Sequence, residues 1–177
     1  EEIARIHGYD NIPSTPPVAQ MAMMPATEHS RTAMSLRRLV AEREYHEVVT
    51  YSFVEAQWEA DFSAVQATGA APIVLANPIA SQMGVMRSTL IGGLVGALVA
   101  NRKRQTERVR IFELGRCFMR DAGAGPVAGF DQPLRLAGLA AGSALPEQWG
   151  APASRVDFYD VKADIEALFA PRRLEFV

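Results

Sequence analysis

The order of elements along the chain predicts an α+β fold with a mainly antiparallel sheet flanked by helices. Three observations carry this. Two strand-like segments, 108–120 and 134–141, are joined through a glycine-bearing connection at 121–130 that reads as a hairpin. Helical segments are interspersed irregularly, and the chain does not alternate strand and helix in repeated βαβ units. With 177 residues, 49% of them apolar and 21% charged, it is long enough to bury the core such a fold needs.

Taken in order, Glu1 to His7 reads as the last turns of a helix, with Ile3 and Ile6 on one face and Gly8 placed to end it in the left-handed conformation. Pro13, Pro16, Pro17 and Pro25 then fix φ and remove amide donors, so 9–25 reads as a linker. A helix follows from Thr27 as N-cap to Tyr45, with Ala33, Leu36, Leu39 and Val40 as its apolar stripe. Val48 to Val54, rich in β-branched and aromatic residues, predicts a strand. Glu55 to Phe62 predicts a short helix and Pro72 to Ala76 a short strand.

Leu90, Leu94 and Leu98 recur every four residues and predict a helix over 90–99, on which Gly92 and Gly96 would let a neighbour approach closely. Asp157 to Ala170 predicts a helix stopped by Pro171, its carboxylates Asp157 and Asp160 at the positive end of the dipole. Leu174 to Val177 reads as the start of a strand.

Composition excludes several functions. A net charge of −2 does not describe a globally basic nucleic-acid binder, so any RNA contact would be local. Cys117 is the only cysteine, which leaves no internal disulfide or thiol-pair chemistry and fits a reducing, cytoplasmic setting. No apolar run reaches the roughly 20 residues that span a bilayer, and no membrane partner is expected.

Gly123, Gly125 and Gly129 lack the Lys and Ser or Thr of a phosphate loop and read as a solvated turn. His7, His29 and His46 have no ligand spacing, and Ser52, Ser81 and Ser88 have no nucleophile elbow. The cluster Arg102, Lys103, Arg104, Arg108 and Arg110 could neutralise RNA phosphates or simply cap a solvated helix end.

Six segments in order resemble the β subunit of bacterial phenylalanyl-tRNA synthetase: EEIARIHGYDNIP at 1–13, EVVTYSFV at 47–54, LANPI at 75–79, VMRSTLIGGLVGAL at 85–98, IFELGRCF at 111–118 and DFYDVKADIEALF at 157–169. The resemblance implies that 1–25 is the end of a B5 domain with a Pro-rich linker. It implies that 26–177 is a synthetase-like B6/B7 core module, truncated at its C-terminus, with the class II architecture. The missing initiator methionine and the start in mid-helix fit a piece of a longer protein.

The family pairs its β subunit with a catalytic α subunit in an (αβ)2 heterotetramer that attaches phenylalanine to tRNA(Phe) using ATP and magnesium. In the catalytic copy an arginine on the second motif's strand grips the α-phosphate by charge. In GRCFMRD at 115–121, Met119 takes that place, and Arg120 should face the other side of the strand. The module is therefore expected to be non-catalytic, supporting the α subunit, with an RNA-binding module at 102–110 as the alternative. Glu1 and Glu2 match a glutamate pair of the family's magnesium cluster, whose aspartates would precede this chain. The site is thus incomplete, and no tightly bound cofactor is expected here. The helix from Thr27 and the strand at Val48 are the expected surface for the α subunit.

Overall fold

The computed structural model describes residues 1–19, 30–63, 72–121, 123 and 127–175. They fall into two units, Glu1–Ser30 and Arg31–Val177.

In the first unit, α1 (Glu2–His7) carries no buried residue, and Ile3 and Ile6 are both exposed. Gly8 ends it at φ 88°, a value that favours glycine. Its ψ of 124° is not that of a left-handed cap, which corrects the expected geometry. A 3-10 turn over Tyr9–Asn11 follows, and Asn11 Nδ2 donates to the His7 carbonyl at 2.6 Å.

In the second unit, α2 (Ala33–Glu42) starts from Thr32, whose Oγ1 accepts from the Ser35 amide at 3.1 Å. The expected N-cap, Thr27, lies outside the described residues. The helix stops at Glu42, short of the expected Tyr45, and Glu44 takes a positive φ of 68° just beyond it.

The expected strand over 48–54 is replaced by two short ones, β1 (His46–Glu47) and β2 (Phe53–Val54), in different sheets. The reason is where the intervening backbone groups go. The Thr50 amide donates to the Glu113 carboxylate at 3.3 Å, and the Ser52 carbonyl accepts from the Arg87 amide at 3.0 Å. A continuous ladder would need both groups.

Helix α3 (Ala56–Ser63) and the strand β3 (Ile73–Val74) fall within or beside the expected segments. β4 (Val85–Met86) joins β2 and β3 in an antiparallel sheet of order β2-β4-β3. Helix α4 (Ile91–Lys103) runs past the expected Val99. Gly92 and Gly96 do admit a close neighbour, for Phe62 and Trp58 of α3 pack over them.

The expected strand 108–120 is broken in two, β5 (Val109–Arg116) and β6 (Met119–Arg120). At the break the Cys117 amide donates to the Pro133 carbonyl at 3.1 Å, and the Phe118 amide turns to the Arg87 carbonyl at 2.9 Å. β6 pairs antiparallel with β7 (Phe130–Asp131), and β5 pairs along its length with β8 (Leu134–Ala141), from Val109 opposite Ala141 to Arg116 opposite Leu134. β1 adds to β5 in parallel, giving the order β1-β5-β8.

Helix α5 (Phe158–Phe169) starts with a capping box. Asp157 Oδ1 accepts from the Tyr159 and Asp160 amides at 2.8 and 3.2 Å, and Asp160 Oδ2 accepts from the Asp157 amide at 2.9 Å. No strand forms at Leu174 and Glu175; the rest of that expected strand lies outside the described residues.

Strand alternation sorts the core into two layers. On one face of β5 and β8, Phe112, Leu136 and Ala140 meet Val40, Tyr45 and Leu168 of the α2–α5 side. On the other, Val109, Ile111, Ala137 and Leu139 meet Leu94, Ala97 and Leu98 of α4, with Val48. The fold is α+β, its sheets mainly antiparallel and flanked by helices.

Candidate functional site

Two charged centres sit against the main sheet, one on each side. On the α4 side, Arg87 follows β4 and Glu113 projects from β5. Arg87 Nη1 donates to Glu113 Oε1 at 2.7 Å and to Thr50 Oγ1 at 2.9 Å, and Arg87 Nε donates to the Arg116 carbonyl at 3.0 Å. Thr50 Oγ1 in turn donates to Glu113 Oε2 at 2.7 Å. Glu59 of α3, also buried, accepts from the Ser88 amide and hydroxyl. These groups satisfy one another, which is what a buried charge requires. Arg87 pairs within the fold.

On the α2–α5 side, Asp164 of α5 is the hub. Its carboxylate takes Arg43 Nε, Arg110 Nη1 at 3.2 Å and the Tyr45 hydroxyl at 2.7 Å. The Arg110 guanidinium lies 5.3 Å from the centre of the Tyr45 ring. Burial first, and then the hydrogen bond to Asp164, push the Tyr45 phenol well above the usual tyrosine range. Asp164 was missed in the sequence, yet a signal was there. It shares the i, i+3, i+4, i+7 stripe of Val161, Ile165 and Leu168, a core-facing row in which a carboxylate calls for buried partners.

The structure splits the basic cluster. Arg110 is buried on Asp164, and Arg108 reaches Glu44 and the Ala144 carbonyl. Arg102, Lys103 and Arg104 remain exposed at the end of α4. A further cation, Arg155, lines a cavity with Arg102, although 53 residues separate them in the chain and only one was singled out from sequence.

At the position that resembles the second motif, Met119 is partly buried, and Arg135 Nη2 approaches its Sδ at 3.5 Å. Arg120 is exposed and lays its guanidinium 5.8 Å from the ring centre of Phe130, its cross-strand partner. The thioether is uncharged and cannot grip a phosphate.

Glu2 is engaged by the Arg5 guanidinium. Among the described residues, no three His, Cys, Asp or Glu side chains gather where a metal ion could be held. Two carboxylates alone supply fewer than the roughly six oxygen ligands that magnesium takes. No described helix is long and apolar enough to cross a membrane.

The chain is an α+β module whose order of segments resembles that of an aminoacyl-tRNA synthetase. A family model described as the phenylalanyl tRNA synthetase beta chain CLM domain matches residues 12–176. The β subunit of phenylalanine–tRNA ligase from Aromatoleum aromaticum is 62% identical over 176 residues, covering 99% of this chain and 22% of that protein. The corresponding subunit of Dechloromonas aromatica is 60% identical with the same coverage. The chain therefore spans about a fifth of the length of these relatives. A solved structure, the pyrrolysyl-tRNA synthetase of Desulfitobacterium hafniense, superposes with a TM-score of 0.40 at 16% identity, over 62% of this chain and 39% of that one. The chain belongs to the phenylalanyl-tRNA synthetase β-chain family.

Proposed function

We propose that this chain is a non-catalytic assembly module of a phenylalanine–tRNA ligase. The whole enzyme is a cytoplasmic (αβ)2 heterotetramer that attaches phenylalanine to tRNA(Phe) with ATP and magnesium, and this module braces the catalytic α subunit without binding either cofactor tightly. One observation carries the reading. Where a catalytic copy of the motif presents a guanidinium to the α-phosphate, Met119 presents a thioether, and the neighbouring Arg120 is turned onto Phe130. Transition-state charge in adenylate formation needs a placed cation, and removing one such donor costs about 3–4 kcal/mol of barrier.

Val49 and Tyr51, strongly exposed between β1 and β2, and Met34 on α2 support that part of the chain as the surface offered to the α subunit. Large apolar side chains on a surface favour a protein partner. The test is ATP–pyrophosphate exchange by the purified β subunit without α, alongside capture of α by β. No exchange, with α captured by wild-type β and captured at least about tenfold less by Tyr51→Glu, is the expected result. Exchange above background by β alone would overturn the reading.

A further inference from the structure

Four cavities of useful size differ in what lines them, one of about 390 Å³ sharing Glu107, Ser143 and Ala153 with its neighbour. The one beneath Trp58 and Phe62, about 290 Å³, is mostly apolar. The one between α2 and α5, about 210 Å³, has its charged groups engaged on Asp164. The third, about 510 Å³, lies between the end of α4 and the segment after β8, and none of its charged side chains has an ion-pair partner among the described residues. Arg102 of α4 and Arg155 of the segment after β8 both line it, together with Ser143, Ser154 and Glu107, the one carboxylate among the lining residues. Among the described residues, the guanidinium groups of Arg102 and Arg155 have no hydrogen-bond or ion-pair partner, whereas those of Arg108 and Arg110 do.

The walls are fixed in place by backbone. Gly142, at φ 92°, packs directly on the Glu107 carbonyl, and its own carbonyl accepts from the Val156 amide at 3.0 Å. The Ala144 amide donates to the Ser154 carbonyl at 2.9 Å, and Ser143 Oγ donates to the Leu145 carbonyl at 2.7 Å. Arg102 and Arg155 thus line one cavity whose walls are held by backbone hydrogen bonds and not by these two side chains. Helix-dipole stabilisation accounts for Arg102, Lys103 and Arg104 at the end of α4. It does not account for Arg155, which arrives from a separate segment and faces the same space.

We infer that this cavity and the adjoining end of α4 form a phosphate-contact surface for an RNA backbone, with Arg102 and Arg155 as the paired contacts and Lys103 and Arg104 extending the positive edge. Arginine forks match phosphate oxygens in a bidentate way, and a strand of RNA offers phosphates in series. Two arginines and a single carboxylate lining one cavity leave a net positive charge, which a phosphate offsets. None of these residues is among those proposed to meet the α subunit.

The experiment uses the assembled ligase, both subunits complete, and an unmodified tRNA(Phe) transcript bound over a range of salt. Arg102→Gln with Arg155→Gln is expected to reduce the slope of log affinity against log salt by about 2 and to weaken binding about tenfold at low salt. Glu107→Gln is expected to change affinity in the opposite direction, by about twofold to threefold, which misfolding does not imitate. Capture of α and phenylalanine-dependent pyrophosphate exchange stay at wild-type levels in both variants, so failure of the assembly reading is seen separately. An unchanged slope overturns the inference, as does weaker binding at constant slope. Loss of thermal stabilisation by inorganic phosphate with tRNA affinity unaltered likewise overturns it.

Discussion

Arg87 Nη1 lies 2.7 Å from Glu113 Oε1, and the two side chains are 6% and 3% exposed. Thr50 closes the arrangement by accepting from the arginine and donating to the carboxylate. β4, β5 and the segment before β2 are therefore tied through three polar side chains in a low-dielectric interior. Such a pair contributes little over an apolar replacement, but a lone survivor is costly.

Arg87→Met should therefore destabilise the protein by about 3–5 kcal/mol, because Glu113 is left buried without its cation. The double variant Arg87→Met with Glu113→Leu should recover a substantial part of that loss. Urea unfolding of the four members of the cycle measures it. Additive single and double effects would mean that the pair is not coupled.

The glycines of α4 should respond in opposite directions to alanine. A Cβ at Gly93 would overlap Thr50 Oγ1 and come within 2.9 Å of Thr50 Cβ, and that side chain is held by Arg87 and Glu113. A Cβ at Gly96 would sit in ordinary contact with Trp58 at 3.7 Å. Gly96→Ala is expected to raise stability by about 0.5–1 kcal/mol through helix propensity. Gly93→Ala is expected to lower it by about 1–3 kcal/mol through overpacking. Thermal denaturation of the two variants decides it, and an equal effect at both positions would contradict the packing described here.

Local pattern made much of this legible. The leucine spacing of α4, the strand-like run of β8 beside its glycine-bearing connection and the carboxylates Asp157 and Asp160 at the start of α5 each write their element into a few neighbouring residues. What pattern could not reveal was set by distant partners. The break at Cys117 depends on the Pro133 carbonyl, and the absence of a ladder through Thr50 depends on a carboxylate 63 residues away. The basic cluster shows the same limit. Arg102 and Arg110 look alike in sequence, and only Asp164, far along the chain, decides that Arg110 is internal while Arg102 stays exposed.

Tyr45 should make stability fall in alkali. Its burial, and then its hydrogen bond to Asp164, hold the phenol's folded pKa above the unfolded value of about 10. The folded state thus binds the proton more tightly. Its stabilisation is complete below about pH 10 and is lost as pH rises above that value. At neutral pH, Tyr45→Phe should cost about 1 kcal/mol for the missing hydrogen bond. The gap between wild type and Tyr45→Phe should then narrow above about pH 10. Denaturant titrations across that interval test it, and a gap that stays constant would exclude Tyr45 as the group responsible.

Cys117 offers a direct reading of opening. It is fully buried at the break between β5 and β6, with its amide on the Pro133 carbonyl, and burial pushes its thiol above the usual range. Access and thiolate are both withheld, so a disulfide reagent should react only through molecules that have opened. Because it is the only cysteine, the labelling should be a single phase. At mildly alkaline pH the native rate should be at least about a hundredfold below that in denaturant. It should rise in Arg87→Met in proportion to the lost stability, since the Arg87 side chain donates to the carbonyl of Arg116, the residue before Cys117. Labelling of the native protein at the unfolded rate would show that this bend opens freely, and that the link between Arg87 and the strand break does not hold it shut.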